Sequence, residues 1–167
     1  MRRLISVIGS DDSDSKLSKN ALNISEKLGR LIAQNNLVLI CGGRGGVMEA
    51  VCKGVKHENG LTIGIIPEKK EEANKFVDIP IITGMGNRRN AVIAYTGDVI
   101  IAIAGRWGTL NEISYSMIFN KPLILIKGTG GIVDILCKEK LANMDYSENI
   151  HIVDNAEDAI LKVLEYV

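Results

Sequence analysis

Short β-branched runs alternate with longer helical patterns along nearly the whole chain, and that alternation restricts the fold more than any single residue does. Leu4-Ile5-Ser6-Val7-Ile8 reads as a strand stopped by Gly9, and Leu17, Ala21, Ile24, Leu28 and Leu31 then recur at helical spacing. Leu37-Val38-Leu39-Ile40 is a second strand, followed by a glycine cluster and a helix marked by Val47, Met48, Val51, Cys52 and Val55. Leu61 to Ile66 is a third strand, and the polar stretch from Glu68 to Lys75 reads as a surface loop. Ile79-Pro80-Ile81-Ile82 is a short strand whose proline cannot donate to a ladder, which suits an edge. A helix around Arg88 to Tyr95 leads to the strand Val99-Ile100-Ile101-Ala102-Ile103. Another, around Leu110 to Phe119, leads to a strand from Pro122 to Ile126, and Gly128 to Gly131 opens the next helix. The strand His151-Ile152-Val153 precedes a last helix, for which Asp154 and Glu157 offer a capping box. Ala156, Ile160, Val163, Leu164 and Val167 supply its buried stripe.

Near-continuous apolar strands, each followed by a helix, predict an α/β fold: a Rossmann-like, doubly wound, mainly parallel sheet with helices on both faces. No linker, repeat or low-complexity segment interrupts the pattern, so residues 1–167 read as a single domain. A chain of 167 residues buries roughly 70% of its unfolded surface and needs no disulfide or metal staple. Cys41, Cys52 and Cys137 lie in apolar surroundings without C-x-x-C spacing and read as small buried hydrophobes. The 20 basic and 20 acidic side chains cancel, so no net field recruits nucleic acid or anionic lipid. Apolar runs fall short of the ~20 residues that span a bilayer. Met1-Arg2-Arg3 runs straight into a strand without a signal peptide, which points to a cytoplasmic protein.

In an open parallel sheet, ligands bind beyond the carboxyl ends of the strands. Four such ends carry unusual glycine: Gly9-Ser10, Gly42-Gly43-Arg44-Gly45-Gly46, Gly84-Met85-Gly86 and Gly105-Arg106-Trp107-Gly108-Thr109. Glycine permits close backbone approach and positive φ, and a helix N-terminus just beyond it offers free amides to a phosphate. Tight turns with a purely structural purpose are the alternative. No G-x-G-x-x-G follows the first strand and no G-x-x-x-x-G-K-[ST] occurs, so the phosphate cradle is neither a dinucleotide fingerprint nor a Walker loop.

Ala104-Gly105-Arg106-Trp107-Gly108-Thr109-Leu110-Asn111-Glu112 resembles the P-G-G-x-G-T-x-x-E motif of the LONELY GUY and lysine decarboxylase-like superfamily. Gly84-Met85-Gly86-Asn87-Arg88-Arg89-Asn90 resembles its arginine-bearing helix start, and Gly42 to Glu49 its glycine loop after the second strand. The likeness runs from Ile5 to about Gly131 in consistent order. It is nearest the short subgroup that includes molybdenum cofactor carrier proteins, with a remote relation to the DNA-processing protein A fold. The resemblance implies a protein that binds a phosphorylated, nucleotide-like small molecule at its strand ends. In the phosphoribohydrolase branch it implies hydrolysis of the N-glycosidic bond of a nucleoside 5′-monophosphate. In the carrier subgroup it implies a non-catalytic carrier or sensor, with molybdenum cofactor as the bound ligand. Neither branch requires a cofactor. A homo-oligomer, dimer or dimer of dimers, is implied, and neither membrane nor nucleic acid is an expected partner. Lysine decarboxylation gains no support, because nothing near Lys127 argues for a Schiff base.

Counting back from Glu112 and from Asp98 puts Arg89, rather than Arg88, at the family arginine. Arg89 and Glu112 are the implied catalytic residues. The implied ligand-binding set is Gly9, Ser10, Gly42, Gly43, Gly45, Gly46, Met85, Asn90, Gly105, Arg106, Gly108 and Thr109, with no metal ligand. Cleaving an N-glycosidic bond builds oxocarbenium character on the ribose, which a carboxylate at Glu112 can stabilise. Arg89 suits a bidentate phosphate clamp and not a general acid, since guanidinium keeps its proton. Blander readings stay open: Glu112 as an acid favoured by the helix dipole, Arg89 as a surface residue, Trp107 as a stacking platform or a subunit contact. His57 and His151 lack a constellation and read as surface or structural, and Met117, Ile118 and Phe119 as core or dimer packing. Ala104 replaces the family proline, Arg106 the second glycine and Asn90 a lysine, changes that bear harder on hydrolysis than on binding. Arg106 would either block close backbone approach or add a phosphate partner.

Overall fold

Strands buried on both faces send alternate side chains into two different helical layers, because successive Cβ atoms point to opposite sides of a sheet. The structure is a computed structural model that describes residues 2–138 and 147–167. It contains seven strands: β1 (Leu4–Gly9), β2 (Val38–Cys41), β3 (Thr62–Ile66), β4 (Ile79–Ile82), β5 (Val99–Ile103), β6 (Leu123–Ile126) and β7 (Ile150–Val153). Their order is β4-β3-β2-β1-β5-β6-β7, and every neighbouring pair is parallel. Among the described residues the helices are α1 (Lys19–Gln34), α2 (Val47–His57), α3 (Asn90–Thr96), α4 (Trp107–Ile118), α5 (Gly131–Lys138) and α6 (Ala156–Leu164).

Ile5, Val7, Leu39 and Ile101 pack against α1, α2 and α6, while Ile8, Ile40, Ile100 and Leu123 face Ile93, Ile113 and Val133 of α3, α4 and α5. The sheet is thus Rossmann-like and doubly wound. The helices that follow β1 and β5 leave toward opposite faces, so a crevice opens between these two adjacent strands at their carboxyl ends. Close helix packing fixes one wall of it. A Cβ on Gly54 would lie 1.9 Å from the Glu26 carbonyl oxygen, and one on Gly29 would lie 2.1 Å from that of Val51. Only glycine allows the backbones of α1 and α2 to meet this closely, and that contact anchors α2 with its N-terminus at the crevice.

β4 is an edge strand, as its proline suggests, with Ile79, Ile81 and Ile82 exposed. The polar segment 68–75 is a loop containing one 3-10 turn, Lys70–Glu72. Asn74 pins this loop by donating to the carbonyls of Gly43 and Arg44 at 3.0 and 2.9 Å. Three local expectations need correction. The last helix is capped by Asn155, whose side chain accepts from the Asp158 amide at 2.8 Å, while Asp154 pairs with Lys127. Two good capping residues stand side by side, and the one adjoining the first helical residue takes the role. Leu164 is exposed rather than part of the buried stripe, and Cys137 is only half-buried, unlike Cys41 and Cys52. No helix of the described residues is long and apolar enough to cross a membrane.

Candidate functional site

At the crevice lies a hollow of about 110 Å³ lined by Gly9, Ser10, Asp11, Arg44, Met48, Asn87, Arg89, Asn90, Arg106, Gly108, Thr109 and Glu112. Arg89 ends a 3-10 turn, Gly86–Arg89, that leads into α3, and only 6% of it is exposed. Room for it exists because residue 42 is glycine: a Cβ there would stand 2.6 Å from Arg89 Nη1 and 2.7 Å from Met48 Sδ. Its Nε and Nη1 are buried and find no hydrogen-bond partner among the described residues. Buried polar groups are nearly always paired, and a buried cation with idle donors is costly unless something anionic completes it.

Glu112 lines the same hollow from α4 and is 8% exposed. Burial pushes its carboxyl up to about 8, and the nearby Arg89 charge offsets only part of that rise. Burial thus shifts Glu112 toward its protonated form. Burial also lowers the Arg89 pKa, with Glu112 opposing the shift, but a guanidinium starts so high that it stays charged.

At the same hollow α4 begins with its amides open. Its N-cap residue Arg106 makes no side-chain cap. The first-turn N–H groups of Trp107, Gly108 and Thr109 lack intrahelical acceptors and, among the described residues, take none from the loops around them. The loop is nevertheless held firmly. Gly105 N–H donates to Ser10 Oγ at 2.9 Å, and Ser10 Oγ donates to Asp14 Oδ2 at 2.6 Å. Ala104 has φ 53° and its N–H donates to Thr129 Oγ1 at 2.9 Å. Proline, with fixed negative φ and no N–H, could do neither, so the loss of the family proline goes with a different backbone path.

Asn90 Nδ2 donates to Asn111 Oδ1 at 3.0 Å and toward the Gly108 carbonyl at 3.5 Å, so its donors tie α3 to the start of α4. Arg106 Nη2 reaches across the crevice to Asp11 Oδ1 at 3.1 Å and Ser13 Oγ at 2.6 Å. It serves as a latch between the β1 and β5 loops.

Of the residues expected from sequence, Gly9, Ser10, Arg89, Asn90, Arg106, Gly108, Thr109 and Glu112 line one hollow, and Gly42 lies beneath Arg89. Gly43, Gly45, Gly46, Gly105 and Met85 do not line it. A Cβ on Gly43 would meet Ile66, one on Gly45 the Asp12 carboxyl and one on Gly46 the Ser10 backbone, so these glycines serve packing. Met85 points largely to solvent, as does Arg88. Sequence reasoning missed Asp11, Arg44, Met48 and Asn87 as wall residues. Asp11 directly follows Gly9-Ser10 at a strand end, and Asn87 lies in the same run as Arg89, so chain position was the available signal.

A cytokinin riboside 5′-monophosphate phosphoribohydrolase of Rhodococcoides fascians is 31% identical over 115 residues, covering 62% of this chain and 58% of that protein. The molybdenum cofactor binding protein of Rippkaea orientalis matches the structure with a TM-score of 0.89 at 34% identity, over 99% of this chain and 97% of that one. The molybdenum cofactor carrier protein of Chlamydomonas reinhardtii matches with a TM-score of 0.88 at 30% identity, over 99% and 98%. DNA processing protein A of Streptococcus pneumoniae, with a TM-score of 0.72 at 21% identity over 96% and 62%, shares the fold alone. The sequence profile of the SLOG cluster4 family matches residues 2–160, and this chain belongs to that family.

Proposed function

We propose that this protein binds a phosphorylated, nucleotide-like small molecule at the β1–β5 crevice and hydrolyses the N-glycosidic bond of a nucleoside 5′-monophosphate. The observation that carries the reading is Arg89, a buried guanidinium with idle donors that lines the same hollow as an uncapped helix N-terminus. A phosphate fits both: it takes bidentate bonds from the guanidinium and backbone bonds from the α4 amides, with the Thr109 hydroxyl beside them. Glu112 faces the same hollow, where the ribose attached to that phosphate would lie. In the reaction water oxygen bonds to C1′, the bond from C1′ to the base nitrogen breaks, and one proton of the water leaves with the base. Ionised Glu112 stabilises the positive charge that develops at C1′.

The test is release of free base from AMP, CMP and GMP, followed by chromatography, in wild type and Glu112→Gln. Release that Glu112→Gln abolishes supports the enzyme. Because the ionised form acts, kcat/KM should rise with pH up to about 8 and level off above it.

A second reading, a non-catalytic carrier of a ligand such as molybdenum cofactor, draws support from two observations. Arg106 stands latched where the hydrolase motif has glycine, and burial raises the Glu112 pKa and so favours its neutral form. Tight binding of a phosphorylated ligand without base release would establish it. Tyr95 and Ile118, 66% and 68% exposed on α3 and α4, support the homo-oligomer expectation, which sedimentation checks.

A further inference from the structure

The inner hollow is too small for the ligand proposed for it. At about 110 Å³ it has room for a phosphate and part of a sugar. Sites that enclose whole small molecules run to about 300–1,000 Å³. The remainder of the ligand needs a second compartment, and one adjoins the first. A cleft of about 420 Å³ lies on the far side of the same loop, lined by Asp14, Ser15, Lys16, Gly105, Arg106, Trp107, Gly131, Ile132 and Ile135. Arg106 belongs to both walls and is the sill between them.

Three features suit this cleft to a flat aromatic ring. Trp107, the chain's only tryptophan, is 82% exposed on the first residue of α4, although a ring of that size normally finds cover. Ile132 and Ile135 of α5 add apolar surface beside it, and Lys16 adds a cation. The platform is also rigid. Ile132 N–H donates to the Gly105 carbonyl at 2.7 Å and Val133 N–H to that of Ala104 at 3.1 Å, so α5 is bonded to the very loop that carries Trp107.

Resting on the proposed phosphate seat, we infer that Trp107, Ile132 and Ile135 form a separate subsite for the heterocyclic base of the same ligand, which straddles Arg106. The phosphate then sits on the β2 side of the switch point and the base on the β6 side, so one molecule spans the crevice. Trp107 acts here as a specificity-determining residue: it recognises the ring and takes no part in bond cleavage.

The test compares ribose 5-phosphate with formycin 5′-monophosphate, whose carbon–carbon glycosidic bond cannot be hydrolysed, by calorimetry and by fluorescence of the single tryptophan. In wild type the nucleotide should bind at least tenfold more tightly and quench the fluorescence, whereas ribose 5-phosphate should leave it nearly unchanged. Trp107→Ala should bring the two affinities within about threefold of each other, and Trp107→Phe should keep most of the preference. Equal affinities in wild type, or a preference that survives Trp107→Ala, would overturn the base subsite and leave the phosphate seat standing. Binding of neither compound would overturn the seat itself, and the subsite with it.

Discussion

The loops Gly105–Thr109 and Gly128–Gly131 each leave a buried strand, turn on glycine, start a helix and meet an acid three residues later, Glu112 after Thr109 and Asp134 after Gly131. In space they are opposites. Asp134 is the fourth residue of α5 and folds back, its carboxylate accepting from the amides of Gly128 at 2.7 Å and Gly130 at 3.0 Å. Further along, the amides of Ile132 and Val133 are taken by the carbonyls of Gly105 and Ala104. Glu112 is the sixth residue of α4, beyond reach of its own N-terminus, and the amides there stay open. A glycine loop followed by an acid therefore does not define an anion site. What defines one is whether the chain has already spent the amides on itself.

The largest effect that would sharpen this contrast concerns the acid that does not fold back. In the unfolded chain Glu112 ionises near 4.5, and in the folded protein near 8. Between those values the unfolded state has lost a proton that the native state keeps, so stability falls by about 1.4 kcal/mol per pH unit as pH rises. Stability from this group is thus full below the lower value and gone above the upper one. Glu112→Gln removes that slope, and denaturant unfolding at about pH 5 and pH 9 should show the variant gaining several kcal/mol on wild type across the interval. Parallel curves would mean that Glu112 is not held protonated by burial.

Next in size is Arg89→Met, which keeps the volume and removes the idle donors. Affinity for ribose 5-phosphate should drop roughly 10- to 100-fold by calorimetry, the worth of charge-assisted bonds, while the melting temperature holds or rises. A fall in melting temperature with unchanged affinity would make Arg89 structural. Asp134→Ala then probes the closed loop, with an expected cost of about 1–2 kcal/mol in chemical unfolding and no change in ribose 5-phosphate affinity. Inorganic phosphate should raise the melting temperature of this variant more than that of wild type, since the vacated amides become an anion seat. No differential response would break the comparison. Smallest is Asn90→Ala, which frees the start of α4 from α3 and should weaken ribose 5-phosphate binding about fivefold, the scale of one neutral hydrogen bond. Asn111→Ala should do the same, and the double variant should cost no more than either alone.

Much of the fold was legible in advance because strand burial writes itself into composition. The run Val99 to Ile103 is apolar at every position, which only a strand covered on both faces tolerates. Boundaries were less legible. α4 begins at Trp107, three residues before the helical periodicity starts at Leu110, because its first turn lines the hollow and the adjoining cleft and not the core. Of the candidate site, Arg89 and Glu112 came from motif resemblance, while Met48 lay inside the resembling glycine loop without a role read for it and Asp11 had only its place after Gly9-Ser10 to mark it. The latch from Arg106 to Asp11 spans 95 positions and could not be read from either end.

By itself the sequence determined the layered α/β architecture and the family, since hydrophobic periodicity and motif spacing are local properties of a chain. Only the tertiary structure decided which glycine loop keeps its amides free, which arginine is buried without a partner, and how far Glu112 is lifted. Those depend on which atoms of distant segments fill or leave unfilled a given hydrogen-bonding position, and on how much water each carboxyl loses when the layers close.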